Sequence, residues 1–221
     1  MGDFRYAPLV IFGLAMLSNV VELKTIDVHL LHGGVLHDAD ERFLSYALDC
    51  SLISHQWKTF NATNAKVVAL TRALSPAILR LGGTVCDSVL FSPSEKSPSG
   101  NSVILHSGDW DRLVTLARQA NLTLLFDANV LVRSKDGSWD PDNFLKFLQY
   151  NRMKKTDNLM FELGNEPNNY PAYFNVTITG EQLARDFSIL RQIVDRDPFY
   201  RGSAIVGADI GNPYLHGKIF P

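Results

Sequence analysis

Residues 159–168 have the sequence Leu-Met-Phe-Glu-Leu-Gly-Asn-Glu-Pro-Asn, an apolar strand that runs directly into a polar turn. Side chains alternate along a strand, so Glu162 and Glu166 lie on the same side, roughly 13 Å apart at about 3.3 Å per residue. That separation is too long for two carboxyl groups that act on one bond. We therefore expect Glu162 to form an internal ion pair with Arg80, and Glu166 to face outward at the end of the strand.

The segments around this strand alternate between strand and helix signals. An apolar helical face recurs at Trp110, Leu113, Val114 and Ala117, with Ser107 or Asp109 as its cap. This alternation predicts parallel strands with crossover helices, either a βα barrel or a doubly wound sheet. We predict strands at 43–53, 77–84, 122–130, 159–163 and 204–206, helices at 64–74, after Asp140-Pro141 and after the capping pair Thr179 and Gln182, and a Ser/Pro-rich linker at 91–100.

Five strands are fewer than the eight of a complete barrel. With 221 residues the chain is also shorter than the about 250 residues typical of that fold. We therefore predict an α/β chain that forms part of a (β/α)8 TIM barrel, with about five of its eight βα units. The predicted domains are a leader at 1–21 and barrel units at 22–221 that stop after the fifth strand.

Polar side chains follow each predicted strand. In a parallel βα barrel these strand ends converge on one face, which is where active sites of this fold lie. Carboxylates and amides with few cations suit hydroxyl-rich ligands, and hydrolysis of a glycosidic bond needs two carboxyl groups, one of them protonated. Glu166 is the candidate acid. The strand-end residues are Asp49, Thr84, Asp87, Asp127, Asn129, Asn165, Glu166 and Asp209.

The overall composition excludes several kinds of partner. Lys+Arg 21 against Asp+Glu 23 gives a net charge of -2, so no bulk positive field attracts nucleic acid, and we predict no nucleic-acid partner. The chain has no glycine-rich dinucleotide fingerprint and no phosphate loop. Its histidines lack metal-ligand spacing with an acidic partner. We predict no cofactor and no metal, and the composition leaves the oligomeric state undetermined.

The N-terminus resembles a targeting segment. Residues 8–21 are mostly apolar, as long as a signal-peptide core and shorter than a membrane span. We predict a signal peptide at 1–21, with an uncleaved membrane anchor or a buried first element as alternatives. The predicted location is the secretory pathway, with an extracellular or lysosomal destination. Three sequons, at Asn61, Asn121 and Asn175, agree with this route, although Asn121 runs into an apolar strand.

Two cysteines follow the ends of neighbouring predicted strands. Cys50 follows the first strand and Cys86 follows the second. Their Cα atoms could therefore fall within the roughly 4.4–6.8 Å that a disulfide needs. The alternatives are one disulfide between Cys50 and Cys86 or two buried free thiols.

The motif Gly164-Asn-Glu-Pro-Asn168 resembles the fourth-strand signature of retaining glycosidases that carry the acid/base glutamate after strand four. The flanking blocks narrow the resemblance to the heparanase-like endo-β-glucuronidases of glycoside hydrolase family 79, and to the N-terminal part of their catalytic barrel. These blocks are Phe43-Leu-Ser45 with Leu48-Asp49, Leu74-Ser-Pro-Ala-Ile-Leu-Arg-Leu-Gly-Gly-Thr84, Asn129-Val-Leu-Val-Arg133 and Gly207-Ala-Asp-Ile-Gly-Asn-Pro213.

This resemblance implies roles for individual residues. It implies that Glu166 is the proton donor and that Asn165 hydrogen-bonds the sugar 2-hydroxyl. It also implies that Asp49 and Thr84 contact a glucuronic acid ring, and that Asn129 belongs to the pocket wall. The plainer alternatives are a loop cap for Asp49, ordinary turn chemistry for Thr84 and a turn-opening glutamate for Glu166. The implied partner is a glucuronide or a glucuronic-acid-containing polysaccharide such as heparan sulfate.

Two departures from the family pattern bear on activity and on substrate. The family's nucleophilic glutamate lies about three βα units beyond the acid/base, whereas Glu181 is the one glutamate after Glu166 here, and it opens a helix. The family's heparan sulfate cleavers present lysines after the motif, whereas residues 169–174 contain none. We therefore expect the chain to be inactive by itself and to suit a less sulfated glucuronide. Two alternatives are a truncated, non-catalytic isoform that binds glycan or a cell-surface partner, and a doubly wound binding protein.

Overall fold

The computed structural model describes residues 38–94 and 103–211, together with the backbone of the segments 214–215 and 218–219. The predicted signal peptide or anchor at 1–21 lies outside these ranges. No helix in the described ranges is both long and apolar enough to cross a bilayer.

The described residues form a mixed α/β structure. The strands are β1 (Tyr46–Asp49), β2 (Ala77–Gly82), β3 (Val89–Ser92), β4 (Val103–His106), β5 (Leu122–Ala128), β6 (Leu159–Leu163), β7 (Ile205–Val206), β8 (Tyr214–Leu215) and β9 (Lys218–Ile219). The helices are α1 (Ser51–Ser54), α2 (Ala65–Ala73), α3 (Ser107–Ala120), α4 (Asp142–Met153), α5 (Tyr170–Tyr173) and α6 (Gly180–Arg196), with 3-10 turns at Thr84–Ser88 and Pro167–Asn169.

Five strands form one parallel sheet in the order β1-β2-β5-β6-β7. Each connection between neighbouring strands contains at least one helix, as predicted. The spatial order follows the chain order without reversal, whereas a doubly wound sheet reverses its strand order at a switch point. The sheet is therefore consistent with part of a TIM barrel. Two smaller sheets accompany it, a parallel pair of β3 and β4 and an antiparallel pair of β8 and β9.

An aromatic cluster joins one face of the sheet to the helices. Phe126 of β5 stacks on Phe147 of α4 with ring centroids 4.1 Å apart, and Trp110 of α3 packs edge-on against both rings. Phe161 of β6 meets Phe144 of α4 at 5.3 Å. Because alternate strand residues point to opposite faces, the residues between these aromatic side chains project from the other side of the sheet. That side carries Arg80, Asp127 and Glu162.

Three of the four predicted helices are confirmed, and the predicted start of the fourth, α3, is corrected. Thr179 and Gln182 form the predicted capping box of α6, with each side chain bonded to the other residue's backbone N–H. Helix α3 begins at Ser107, after His106, so the prediction that Ser107 or Asp109 caps it from outside is wrong. The Ser107 hydroxyl instead donates to the carbonyl of Pro93.

The predicted linker at 91–100 is wrong in its first two residues. Phe91 and Ser92 belong to β3, which pairs with β4, and β4 was not predicted. The Phe91 side chain is 4% exposed and packs on the rings of Phe147 and Tyr150. The Asn143 side chain bonds both the N–H and the carbonyl of Phe91. A single aromatic residue in a Ser/Pro-rich segment gives no period, so only these tertiary contacts reveal the strand.

The first two strands are shorter than predicted. Strand β1 spans Tyr46–Asp49 rather than 43–53, because Phe43 and Leu44 are 77% and 74% exposed and the chain turns into α1 at Ser51. Strand β2 ends at Gly82, and Thr84 is the first residue of a 3-10 turn. Strand β1 therefore ends at the predicted site residue Asp49, and β2 ends two residues before Thr84.

Candidate active site

The carboxyl ends of the five parallel strands bring acidic and amide side chains to one edge of the sheet. Asp127 on β5 lies opposite Glu162 on β6 in the strand register, and Glu162 lies opposite Val206 on β7. Asp49 on β1 lies opposite Gly82 on β2. Because the strands are parallel, the turns that follow them carry Thr84, Asn165, Glu166 and Asp209 to this same edge.

Arg80 is at the centre of this edge. Its Nε donates to Glu162 Oε2 at 2.5 Å, which confirms the predicted ion pair. Its Nη2 donates to Asn165 Oδ1 and to Asp209 Oδ2, both at 3.0 Å, and lies 3.5 Å from Asp127 Oδ2. Gly82 makes room for the guanidinium, since a Cβ at that position would lie 2.4 Å from Arg80 Cζ. One cation thus binds groups that follow three different strands.

Burial determines the charge of the carboxyl groups around Arg80. Burial raises the pKa of Asp127 well above its usual value, and the charges of Asp87 and Glu162 raise it further. Burial also raises the pKa of Glu162, which the bond from Arg80 opposes. Burial raises the pKa of Asp87 to about 7. A single guanidinium does not compensate four carboxylates, so protons on Asp87 and Asp127 reduce the uncompensated charge.

Glu166 lies in a tight turn directly after β6. Gly164 and Glu166 both have positive φ, at 80° and 52°, which reverses the chain within three residues. The Gly164 N–H donates to the Ala128 carbonyl at 3.0 Å, and the Asn165 N–H donates to Asp87 Oδ2 at 3.1 Å. The half-buried Glu166 carboxyl accepts a bond from Asn169 Nδ2 at 2.9 Å through Oε2. Within the described ranges its Oε1 has no hydrogen-bond partner.

Asn165 is held from two sides. Its side chain is buried, its Oδ1 accepts from Arg80, and its backbone N–H donates to Asp87. Its Nδ2 has no partner among the described residues and is therefore free to donate to a ligand. A side-chain amide held in this way can donate a hydrogen bond to a ligand.

The turn after β7 lies beside the Glu166 turn. Asp209 reaches Arg80, and the Gly211 N–H donates to Asn168 Oδ1 at 2.9 Å. The Tyr170 hydroxyl lies against Gly164, 2.7 Å from the position of an added Cβ. The sequence indicated no role for Tyr170 and marked Asp87 only as a strand-end residue. Their contacts join segments far apart in the chain, and no local pattern marks them.

The other predicted sugar contacts have mixed surroundings. Asp49 is exposed, its Oδ1 accepts the N–H of Ser51 at 2.7 Å, and its Oδ2 lies against Gly83. Thr84 is half-buried at the start of the 3-10 turn. Asn129 bonds the carbonyl of Val89 through Nδ2 and the N–H of Leu131 through Oδ1. Asn129 thus joins two loops with both ends of its side chain.

Cys50 and Cys86 form a disulfide with their Cα atoms 5.3 Å apart. Cys50 follows Asp49, and Cys86 lies two residues after Thr84, so the bond joins the two loops that carry these residues. Asn61 and Asn175 are exposed. In the third sequon, Thr123 is 6% exposed and its hydroxyl donates to Asn158, so this sequon is partly inside the fold.

No group of three or more His, Cys, Asp or Glu side chains in the described part of the chain has an arrangement that could hold a metal ion. The cluster around Arg80 is instead organised by a guanidinium. This edge of the sheet therefore presents the carboxyl group of Glu166, the free amide donor of Asn165 and the carboxyl groups around Arg80.

Comparison of the sequence with known proteins identifies the family of this chain. The profile of glycosyl hydrolase family 79, N-terminal domain, matches residues 45–206. The chain is 28% identical to heparanase of Gallus gallus, over 94% of this chain and 48% of that protein. It is 28% identical to hyaluronoglucuronidase of Hirudo nipponia, over 86% of this chain and 45% of that protein. It is 27% identical to inactive heparanase-2 of Mus musculus, over 79% of this chain and 40% of that protein.

The chain thus spans less than half the length of each of these relatives. The matched range contains the whole five-stranded sheet, the Glu166 turn and the Arg80 cluster except Asp209. The chain belongs to glycosyl hydrolase family 79.

Proposed function

We propose that this chain carries the acid/base side of a retaining glycosidase site that acts on glucuronic-acid-containing glycans, with Glu166 as the proton donor. The observation that carries the proposal is the turn after β6. There Glu166 has one carboxyl oxygen bonded to Asn169 and the other without a partner among the described residues. Asn165, directly before it, is fixed by Arg80 and Asp87.

In this mechanism Glu166 protonates the glycosidic oxygen while a second carboxylate attacks the anomeric carbon. Glu166 then removes a proton from the water that hydrolyses the glycosyl-enzyme. Retention requires the two carboxyl groups to be about 5–5.5 Å apart. Glu181 lies in the first turn of α6 rather than after a strand, and we propose that the nucleophile belongs to residues outside this chain. We propose that the chain has no glycosidase activity by itself.

The substrate class follows from polar groups at the same edge. Asp49 and Asn165 offer an acceptor and a donor to sugar hydroxyls, and Thr84 offers both. The relatives are named heparanase and hyaluronoglucuronidase, which supports a glucuronic-acid-containing polysaccharide as substrate. Residues 169–174 contain no lysine, so we propose a substrate with few sulfate groups.

The Glu166 role is tested by Glu166→Gln in the longest reading frame that contains this chain. On a glucuronide polymer we expect kcat/KM to fall about 10³-fold, because the leaving oxygen is no longer protonated. A dinitrophenyl leaving group departs without protonation. On a dinitrophenyl glucuronide we therefore expect Glu166→Gln to lower the rate of glycosyl-enzyme formation by a smaller factor. Azide then restores turnover of Glu166→Ala by replacing water as the acceptor.

The matched control is Glu181→Gln, which changes an exposed glutamate at the start of α6 and keeps wild-type activity. Equal losses in Glu166→Gln and Glu181→Gln, or no loss in Glu166→Gln, would overturn the assignment. Turnover by the isolated 221-residue chain would overturn the claim that the nucleophile lies elsewhere.

A second candidate function is binding without catalysis. The similarity to a relative named inactive heparanase-2 favours it. In that case the protein binds glucuronide-containing oligosaccharides, and Glu166→Gln changes neither turnover nor affinity.

We also propose that the protein enters the secretory pathway. The exposed sequons at Asn61 and Asn175 and the Cys50–Cys86 disulfide suit an oxidising compartment.

A further inference from the structure

Asp87 is a buried carboxyl group that the mechanism above does not use. It lies in the 3-10 turn after β2 and is 3% exposed. Burying a carboxyl group is costly unless the group is bonded. Its position beside the Glu166 turn therefore calls for a role that uses its oxygen atoms as hydrogen-bond acceptors.

The contacts of Asp87 converge on the turn that carries Glu166. Its Oδ2 accepts the N–H of Asn165 at 3.1 Å across 78 residues of sequence. The hydroxyl of Tyr170 lies beside its carboxyl group, and the charges of Arg80 and Asp127 face it from β2 and β5. The Tyr170 hydroxyl also lies against Gly164. Asp87 and Tyr170 thus enclose the turn.

The Glu166 turn has few other backbone restraints. Gly164 bonds to Ala128, and the Asn169 N–H closes the turn onto the Glu166 carbonyl at 2.8 Å. Between these two bonds the chain adopts positive φ twice, a conformation that a non-glycine residue such as Glu166 keeps only when its surroundings hold it. The bond from Asn165 to Asp87 is the restraint in the middle of this segment.

We infer that Asp87 is a positioning residue, which accepts the Asn165 N–H and thereby fixes both the free amide donor of Asn165 and the carboxyl of Glu166 toward the substrate. The inference rests on the proposed role of Glu166 and adds to it. Because burial raises the pKa of Asp87 to about 7, its charge changes near neutral pH. The ionised carboxylate is the stronger acceptor, so the bond to Asn165 tightens as the pH rises through that range.

Nuclear magnetic resonance tests this bond in the chain itself. With ¹⁵N-labelled asparagine, we expect the amide proton shift of Asn165 to titrate with a midpoint near pH 7 in the wild type. It does not titrate near pH 7 in Asp87→Asn, which keeps an acceptor oxygen but cannot ionise. In Asp87→Leu, which has no acceptor, the exchange of the Asn165 amide with D₂O accelerates at least about tenfold.

Asp186→Asn is the matched control. Asp186 is 1% exposed, accepts the Trp139 N–H at 3.1 Å and pairs with Arg133, so it is an equally buried aspartate away from the site. Its substitution leaves the Asn165 titration intact. A flat Asn165 shift in the wild type, or equal amide exchange in Asp87→Leu and Asp186→Asn, overturns the inference.

Kinetics of the longer protein separate this inference from the proposed function. We expect kcat to fall about 10²-fold in Asp87→Leu with KM little changed, and Asp87→Asn to recover part of the loss and to lose its pH dependence near 7. Full activity in Asp87→Leu alongside an inactive Glu166→Gln overturns positioning by Asp87 and leaves Glu166 in place. Full activity in Glu166→Gln overturns the proposed function itself, whatever the Asn165 titration gives.

Discussion

The guanidinium of Arg80 binds oxygen atoms from β6, from the Glu166 turn and from the turn after β7. At the scale of single residues, the site therefore depends on one cation that faces several carboxyl groups and on protons that reduce their repulsion. Asp87 and Asp127 have raised pKa values because both are buried, and this cluster makes folding sensitive to pH.

The stability of the protein should fall as pH rises toward neutrality because of Asp87. Its pKa is raised by burial from 3.8 to about 7, so the folded state holds a proton that the unfolded chain has lost. The stabilisation is fully present below about pH 4 and is lost as pH rises through about 7, by at most about 4 kcal/mol. Asp87→Asn removes this dependence, which urea unfolding at pH 4, 6 and 8 measures.

The control for this pH prediction is again Asp186→Asn, which removes a buried carboxyl outside the cluster and leaves Asp87 in place, so the loss of stability due to Asp87 remains. Parallel stability profiles for the wild type and Asp87→Asn would contradict the raised pKa of Asp87.

Some contacts of single residues could be predicted from the sequence, and others could not. The Gly-Asn-Glu-Pro motif predicted a polar turn with Asn165 and Glu166 at the end of an apolar strand, and the structure has this turn directly after β6. Strand parity correctly paired Glu162 with Arg80. The bond between Asp87 and Asn165 spans 78 residues, and the Tyr170 hydroxyl reaches its position only through the fold. Such contacts leave no pattern in the local sequence, so they could not be predicted.

At the scale of elements, strands with a sustained apolar run and helices with a complete cap were predicted well. Strand β6 matches its predicted bounds, and α6 has its predicted capping box. The errors lie in short segments. Strands β3 and β4 have four residues each, and the burial of β3 depends on Asn143 and Phe147 of α4. Periodicity needs a longer window than four residues.

The capping box of α6 gives a prediction at this scale. Thr179→Ala removes the acceptor for the Gln182 N–H and should lower the free energy of unfolding by about 1 kcal/mol, or Tm by about 2–4 °C. Thermal unfolding followed by circular dichroism measures the change.

Ser188→Ala is the matched control for the cap, because this exposed hydroxyl donates only to the Ala184 carbonyl, which α6 already bonds. We expect it to shift Tm by less than Thr179→Ala does. Equal shifts for the two variants would show that the cap adds nothing to the stability of the helix.

At the scale of the whole molecule, the parallel sheet has two ends. Among the described residues, β1 and β7 each pair with one strand of this sheet. Phe43 and Leu44, just before β1, are exposed apolar side chains. Unpaired strand edges beside apolar surface favour pairing with further strands.

We therefore expect the 221-residue chain, purified by itself, to self-associate. Size-exclusion chromatography with light scattering should give a mass above 24.7 kDa, and the dye ANS should bind the exposed apolar surface. The longest reading frame that contains this chain serves as the comparison, and we expect it to bind less dye if its additional residues pair with these edges. A monodisperse monomer of the isolated chain without ANS binding would contradict this expectation.

The contact between the turn after β7 and the Glu166 turn makes the position of the Glu166 carboxyl group sensitive to substitutions far along the chain. An added Cβ at Gly211 would lie 2.3 Å from Asn169 Nδ2 and 3.1 Å from Glu166 Cδ. A single methyl group there would displace the amide that Glu166 binds, without touching any residue of β6. The space between these two turns therefore limits which side chains the protein tolerates at position 211, which is 45 residues after the proposed proton donor Glu166.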